Sequence, residues 1–276
     1  MTSPTTSKAQ RRAEAQRRAA EKRAAEQRKK RVRMGAWVGG VVVAIAAIVL
    51  IVTLVTSGSS GNGGGTASFS HPNVALKPVP STMSSTWKQP PASTPGPETV
   101  GIPSGPKLAT LDTVATGQNV GDIQCQTNEQ TVVHVHTHLT VFVNGQARVI
   151  PYGIGIPGAT PVQTAQGPFV QSGSCFYWLH AHANDGIIHI ESPSTSMHFT
   201  LGDFFRIWGI PLSSNQVGPA TGRVTAFLTY KGHHDLVTGI YEGDPANLPL
   251  GNHYQIQLDV GTPIVAPYKV TNWGGL

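Results

Sequence analysis

The chain has 276 residues, enough for one or two domains with a real core. Its net charge of +6 is not spread evenly: of 20 basic and 14 acidic side chains, residues 8–33 hold twelve and three, which leaves eight and eleven elsewhere. The bulk of the chain is therefore net acidic, and nucleic-acid binding loses its main support.

Residues 1–33 read as a basic cytoplasmic tail. Between positions 8 and 33 the residues are mostly Ala, Arg, Glu, Gln and Lys, good helix formers with no apolar stripe larger than alanine. Such a segment either meets anionic lipid headgroups or simply fixes topology. Met34 to Thr56 is a run of 23 residues without a charge. As a helix it is about 35 Å long, enough to cross a hydrocarbon core of about 30 Å. Lys29, Lys30, Arg31 and Arg33 abut its start, and the next basic residue is Lys77. That asymmetry predicts a single-pass anchor in the cytoplasmic membrane, N-terminus inside and C-terminal part outside. A cleaved signal peptide is the alternative, although both the basic region and the apolar run are long for one.

Residues 57–107 read as a linker, first Gly/Ser-rich (SGSSGNGGG, 57–65), then with nine prolines between positions 71 and 106. His71 and Trp87 fall there and read as ordinary linker residues. Residues 108–276 read as an extracytoplasmic β-domain. Short runs rich in Val, Ile, Thr, Phe and Tyr alternate with turn signals at Asn144-Gly145, Asp185-Gly186 and Lys231-Gly232. One helix is predicted over Leu201 to Trp208, with Thr200 as cap and Asp203 as the capping-box acid. The fold class is all-β: a mostly antiparallel β-sandwich or barrel with one short helix, preceded by the single transmembrane helix. Cys125 and Cys175 lie in the exported part, where an oxidising compartment favours a disulfide over a pair of thiolate metal ligands.

Seven of the eleven histidines fall between positions 134 and 198. Residues at i, i+2 and i+4 of a strand share a face. His134, His136 and His138 therefore line one side of a strand, while Val133, Val135 and Leu139 face a core. Val141 and Val143 continue that apolar row to the Asn144-Gly145 turn, with Gln146 to Ile150 returning as a hairpin. The second group is sharper. If Asp185-Gly186 is a two-residue hairpin loop, His182 opposes His189 and His180 opposes Glu191, with Ala181, Ala183, Ile188 and Ile190 pointing the other way. Three imidazoles and a carboxylate in one patch suit a divalent transition metal, copper or zinc first, with iron and nickel also compatible. His134, His136 and His138 either complete that site, form a second one or support it. Trp178, on the His180/His182 face, is a candidate pocket wall. His198 is a weaker ligand candidate, His233 and His234 read as a surface loop, and His253 begins a strand whose Gln255, Gln257 and Asp259 read as solvated. Nucleophile elbows, phosphate loops, zincin motifs and EF-hands are absent from the sequence.

The strings CFYWLHAHANDGIIHIESP (175–193), HVHTHLTVFVNGQ (134–146) and FTLGDFFRIWG (199–209) together resemble a family of uncharacterised exported or membrane-anchored bacterial and archaeal proteins. The resemblance spans roughly residues 120–262 and implies one domain, with no activity attached. More distantly, HVH is similar to a copper-ligand segment of copper/zinc superoxide dismutases, although no zinc loop follows. Cupins share a three-His, one-Glu ligand set at different spacing, and alpha carbonic anhydrases share strand His-x-His plus His without the rest of this pattern. These are analogies of site chemistry.

Three readings follow. The first is a metal-binding protein on the outer face of the membrane, with His180, His182 and His189 as ligands and Glu191 as a ligand or as the group orienting His180. Its partners are the lipid bilayer, the metal ion and a membrane protein complex. The second is a metal-dependent enzyme at the same site, activating water with Glu191 as general base. The third is a metal-free structural or interaction module with pH-sensitive histidines.

Overall fold

The computed structural model describes residues 74–80 and 87–276, which fall in one compact unit, residues 66–276. The predicted basic tail, the apolar run Met34 to Thr56 and the Gly/Ser linker lie outside the described residues. Among the described residues, no helix is long and apolar enough to cross a membrane.

The strands used below are β1 (Leu76–Pro78), β2 (Ser93–Pro95), β3 (Gly101–Pro103), β4 (Val133–Val143), β5 (Gln146–Arg148), β6 (Pro161–Thr164), β7 (Gly167–Val170), β8 (Leu179–His180), β9 (Ile187–Ser192), β10 (Val224–Lys231), β11 (Leu236–Tyr241) and β12 (Tyr254–Val260). The main sheet runs β1-β11-β10-β12-β4-β9-β8, with β5 paired to β4. Its ordered path is open, with β1 and β8 at the two ends, so among the described residues the strands do not close into a barrel. All its pairings are antiparallel except β12 with β4. The described chain is thus mostly strands with one α-helix, as the apolar patterning predicts. The Asn144-Gly145 turn forms as read: both residues have positive φ, and Val143 pairs with Gln146.

Alternation along the strands splits the sheet into two faces. On one lie Leu139, Val141, Ile188, Ile190, Ala226, Leu228, Ile256 and Leu258, all buried in the main core. Helix α1 (Leu201–Trp208) covers this face and contributes Leu201, Phe204, Phe205, Ile207 and Trp208. Each such side chain adds roughly 1.5–3 kcal/mol by leaving water. The helix begins as predicted: the Thr200 N–H donates to Asp203 Oδ2 at 2.8 Å. It ends at Gly209, whose φ of 74° fits a residue without a Cβ.

The opposite face carries the histidines at one end and a buried polar row at the other. Gln255, Gln257 and Asp259, read as solvated, are all buried. Their side chains act as a substitute strand edge for the C-terminal segment. Val270 N–H donates to Gln255 Oε1, Tyr268 N–H to Gln257 Oε1, and Val265 N–H to Asp259 Oδ1, at 2.6–2.8 Å. A polar residue on a strand face signals either water or an amide-lined neighbour, and alternation alone cannot separate them.

The described parts of the proline-rich segment, residues 74–80 and 87–106, are part of the fold rather than a free linker. β1 pairs with β11, Trp87 packs edge-on against Phe227 at 5.7 Å, and β2 and β3 form a hairpin. The loop at the tip of that hairpin places Val100 in a buried cluster with Ile187 and Val270. Prolines remove N–H donors but still suit such edge and hairpin positions. Cys125 and Cys175 form the expected disulfide, Cα atoms 5.4 Å apart.

A candidate metal centre on the second face

Strand β9 lies between β4 and β8, and its register assembles the site. His189 is opposite His136 on one side and His180 on the other. Three imidazoles thus form one row across three strands, and Glu191, opposite His134, starts the next. The sequence reading placed His189 against His182, but the observed pairing is shifted by two residues. After His180 the chain leaves β9. Ala181 N–H donates to the Ile154 carbonyl at 2.9 Å, and the His182 carbonyl accepts from Val170 N–H at 2.9 Å. The connection to β9 therefore runs from Ala181 to Gly186 instead of turning in two residues. A shift of two preserves the faces, so the same side chains still converge.

The ligand-type atoms of His180, His182, His189 and Glu191 lie within 4.8 Å of one another, and so do those of His134, His136 and His189. This buried group has the donors and the spacing to hold a metal ion.

Hydrogen bonds fix which nitrogen faces inward. A backbone carbonyl only accepts, so His180 Nδ1–H donates to the Tyr177 carbonyl (2.8 Å) and His182 Nδ1–H donates to the Val170 carbonyl. Both Nε2 atoms then carry lone pairs, yet they face each other at 3.0 Å. Two bare lone pairs at that distance repel unless a cation lies between them. Two ligands bound at 2.0–2.1 Å in tetrahedral geometry sit about 3.3 Å apart, close to this spacing. A ligating histidine whose other N–H goes to a backbone carbonyl is also the usual supporting arrangement of a metal site.

His189 is held between carboxylates. Its Nε2–H donates to Glu98 Oε1 at 2.7 Å, and Nδ1 lies 3.4 Å from Glu191 Oε1. Burial pulls its pKa down, but the Glu191 and Glu98 hydrogen bonds outweigh that and raise it to about 9. Its neighbours shift the other way. Burial, followed by the His189 charge, lowers His136 to about 3, and the same two causes lower His180 and His182. These three rings are neutral at pH 7, the state a metal requires. Glu191 is 1 % exposed, with Oε1 3.2 Å from His134 Nε2 and 3.7 Å from His180 Nε2.

Not every predicted residue joins the group. His138 shares the face of His134 and His136 but sits opposite Ile187, beside the turn. Its Nε2–H donates to the Asp185 carbonyl at 3.1 Å and Nδ1 lies 3.3 Å from Thr140 Oγ1, so both ring nitrogens are engaged away from the cluster. Burial lowers its pKa to about 4. His198, His233 and His234 are exposed and belong to neither group. His253 stacks on Trp273 at 4.4 Å. Trp178 does not wall the pocket. The strand breaks between Tyr177 and Leu179, and the indole packs in the main core, its Nε1–H donating to Gln126 Oε1 at 2.8 Å.

Three participants, Glu98, Asp185 and Glu129, are not marked as site residues by the sequence. Glu98 lies among prolines and reaches His189 only because the β2–β3 hairpin folds over the sheet. Asp185, read as a turn residue, is fully buried and anchors that hairpin by accepting the Glu98 N–H at 3.0 Å. Burial and the Glu98 carboxyl raise its pKa. Gly96 packs so closely there that a Cβ would meet the Asp185 Cβ at 2.5 Å. Glu129 approaches His182 Nε2 at 3.4 Å, and burial, followed by Glu191, raises its pKa. Neither glutamate carries a local signal beyond being an acid in a segment poor in charge.

A pocket of about 810 Å³ opens onto the cluster, lined in part by Glu98, Glu129, His134 and His182. In comparisons with protein-family models, curated proteins and solved structures, nothing matches this chain.

Proposed function

We propose that this chain is a membrane-anchored extracytoplasmic protein that binds a divalent transition metal, copper or zinc, through His180, His182, His189 and Glu191. The observation that carries the reading is the facing pair of His180 and His182 Nε2 atoms, each ring pinned by a backbone carbonyl so that only its lone pair points inward. Glu98 supports it by holding His189 through Nε2, which leaves Nδ1 for the ion. Two nitrogens from the β8 end, one from β9 and a carboxylate match a borderline cation better than magnesium or calcium. Membrane anchoring is supported by the uncharged run at 34–56 with its one-sided basic flank, and the extracytoplasmic location by the disulfide. Metal handling, alone or within a membrane complex at the bilayer surface, is the role this combination suits.

The test is the metal content of the full-length chain after mild purification, followed by zinc and copper titration. One ion at the site is expected to be lost in His182→Ala and retained in His233→Ala. A wild-type chain that binds neither metal, with no change in thermal stability, refutes the reading and leaves a metal-free interaction module.

The open pocket favours a second reading, a metal-dependent enzyme using the same ion to activate water. Glu191 is enclosed by imidazoles, as a ligand would be. Glu129, with its side chain 39 % exposed at the pocket, is the group placed to accept a proton. In that case Glu129→Gln abolishes turnover while metal content stays unchanged.

A further inference from the structure

We propose that the cluster holds a second divalent transition-metal ion, bound by His134 and His136 and sharing the Glu191 carboxylate with the first. This rests on the single-ion reading above and extends it. A four-coordinate ion at His180, His182, His189 and Glu191 leaves two imidazoles of the same patch unused, and their ligand atoms lie within 4.8 Å of one another and of a nitrogen of His189.

Buried atoms left without partners mark the same place. His136 is 6 % exposed, and its Nε2 is buried without a hydrogen-bond partner. Glu191 Oε1 is the oxygen near His180 and His189, and Oε2 is likewise buried without a partner. An unpartnered buried polar atom typically costs about 1–3 kcal/mol, and these two, on paired strands and the same sheet face, are atoms that a cation would satisfy. His134 completes the set, with Nε2 3.2 Å from Glu191 Oε1 and its side chain 45 % exposed toward the pocket.

Charge supports the assignment. Glu98, Glu129 and Glu191 all line the pocket, and among the described residues no lysine or arginine does. Three carboxylates carry more negative charge than one divalent ion neutralises, and a second ion brings the site close to balance. Carboxylate sharing suits this geometry, because ions in two-metal sites sit about 3.5–4 Å apart.

The experiment uses the full-length chain stripped of metal and dialysed against zinc. Two ions per chain are expected in the wild type and one in His134→Ala, a surface change that leaves the core packing untouched. His136→Gln is expected to give the same result. In His134→Ala the second equivalent weakens at least about tenfold while the first changes by less than about threefold. Copper(II) provides an independent readout: paramagnetic resonance intensity grows with the first equivalent and falls as the second couples to it. One ion in the wild type, two in both variants, or two uncoupled copper signals each overturn the proposal. No bound ion at all overturns the single-ion reading, and this one with it.

Discussion

Binding of the first metal equivalent should release close to one proton at pH 8. The perturbation is the titration of His189, which is held as an imidazolium by Glu98 and Glu191 with a pKa of about 9. Coordination through Nδ1 must displace its proton, whereas His180 and His182 are already neutral and release none. At pH 8 a group of that pKa is about 90 % protonated, so about 0.9 proton leaves per ion. Three ordinary histidines near pKa 6.5 would together release only about 0.1. The same linkage weakens apparent affinity about 50-fold between pH 9 and pH 7, or about 2.3 kcal/mol. Calorimetry in buffers of different ionisation enthalpy measures the number directly, with substoichiometric zinc. Fewer than about 0.3 protons released at pH 8 would refute the placement of His189 between the two carboxylates. Glu98→Gln, which removes one of them, should lower the released number at pH 8 and flatten the affinity profile.

Two further predictions concern stability. The metal-free domain should unfold steeply in acid. His136, His138, His180 and His182 have folded pKa values below 6.5, so the unfolded chain takes up protons that the folded chain cannot, and stability falls with pH below 6.5. Four such groups alone would give up to about 5 kcal/mol per pH unit between pH 6 and 4. The buried carboxyls of Asp185 and Asp259, raised to about 7, hold protons only in the folded chain over that range and offset about half of it. That leaves a slope of up to about 3 kcal/mol per pH unit, read from urea midpoints. His189 acts oppositely: its raised pKa contributes stability below pH 6.5 that is lost as pH rises through 9. An acid profile flat down to pH 4 contradicts the burial of these rings. Secondly, reduction of Cys125–Cys175, or Cys125→Ser with Cys175→Ser, should lower stability by about 4 kcal/mol for a closed loop of this size. Because Cys125 is only four residues from Glu129, reduction should also loosen Glu129 from His182, detectable as faster metal exchange.

The physical origin of the site explains how far a reader of the sequence could go. Alternation is a local property, so the shared face of His134, His136 and His138 was legible, as was that of His180, His182, His189 and Glu191. It survived a register error of two residues because side-chain direction repeats with that same period. The capping box at Thr200 and Asp203, the Asn144-Gly145 turn and the apolar row Tyr254, Ile256, Leu258 and Val260 were legible for the same reason. Each depends on neighbours in the chain.

What lay beyond the sequence depends on segments far apart in it. His138 looks like His136 in every local respect, and only the Asp185 carbonyl delivered by the turn removes it from the cluster. Gln255, Gln257 and Asp259 carry a pattern that fits water as well as it fits an overlying backbone, and the C-terminal segment decided between them. Glu98 gains its role when a proline-rich hairpin folds back across 91 residues of sequence to meet His189. Periodicity chose the chemistry available on each face, and tertiary contacts chose which side chains meet, because a ligand set is defined by distances of a few ångströms that no local pattern encodes.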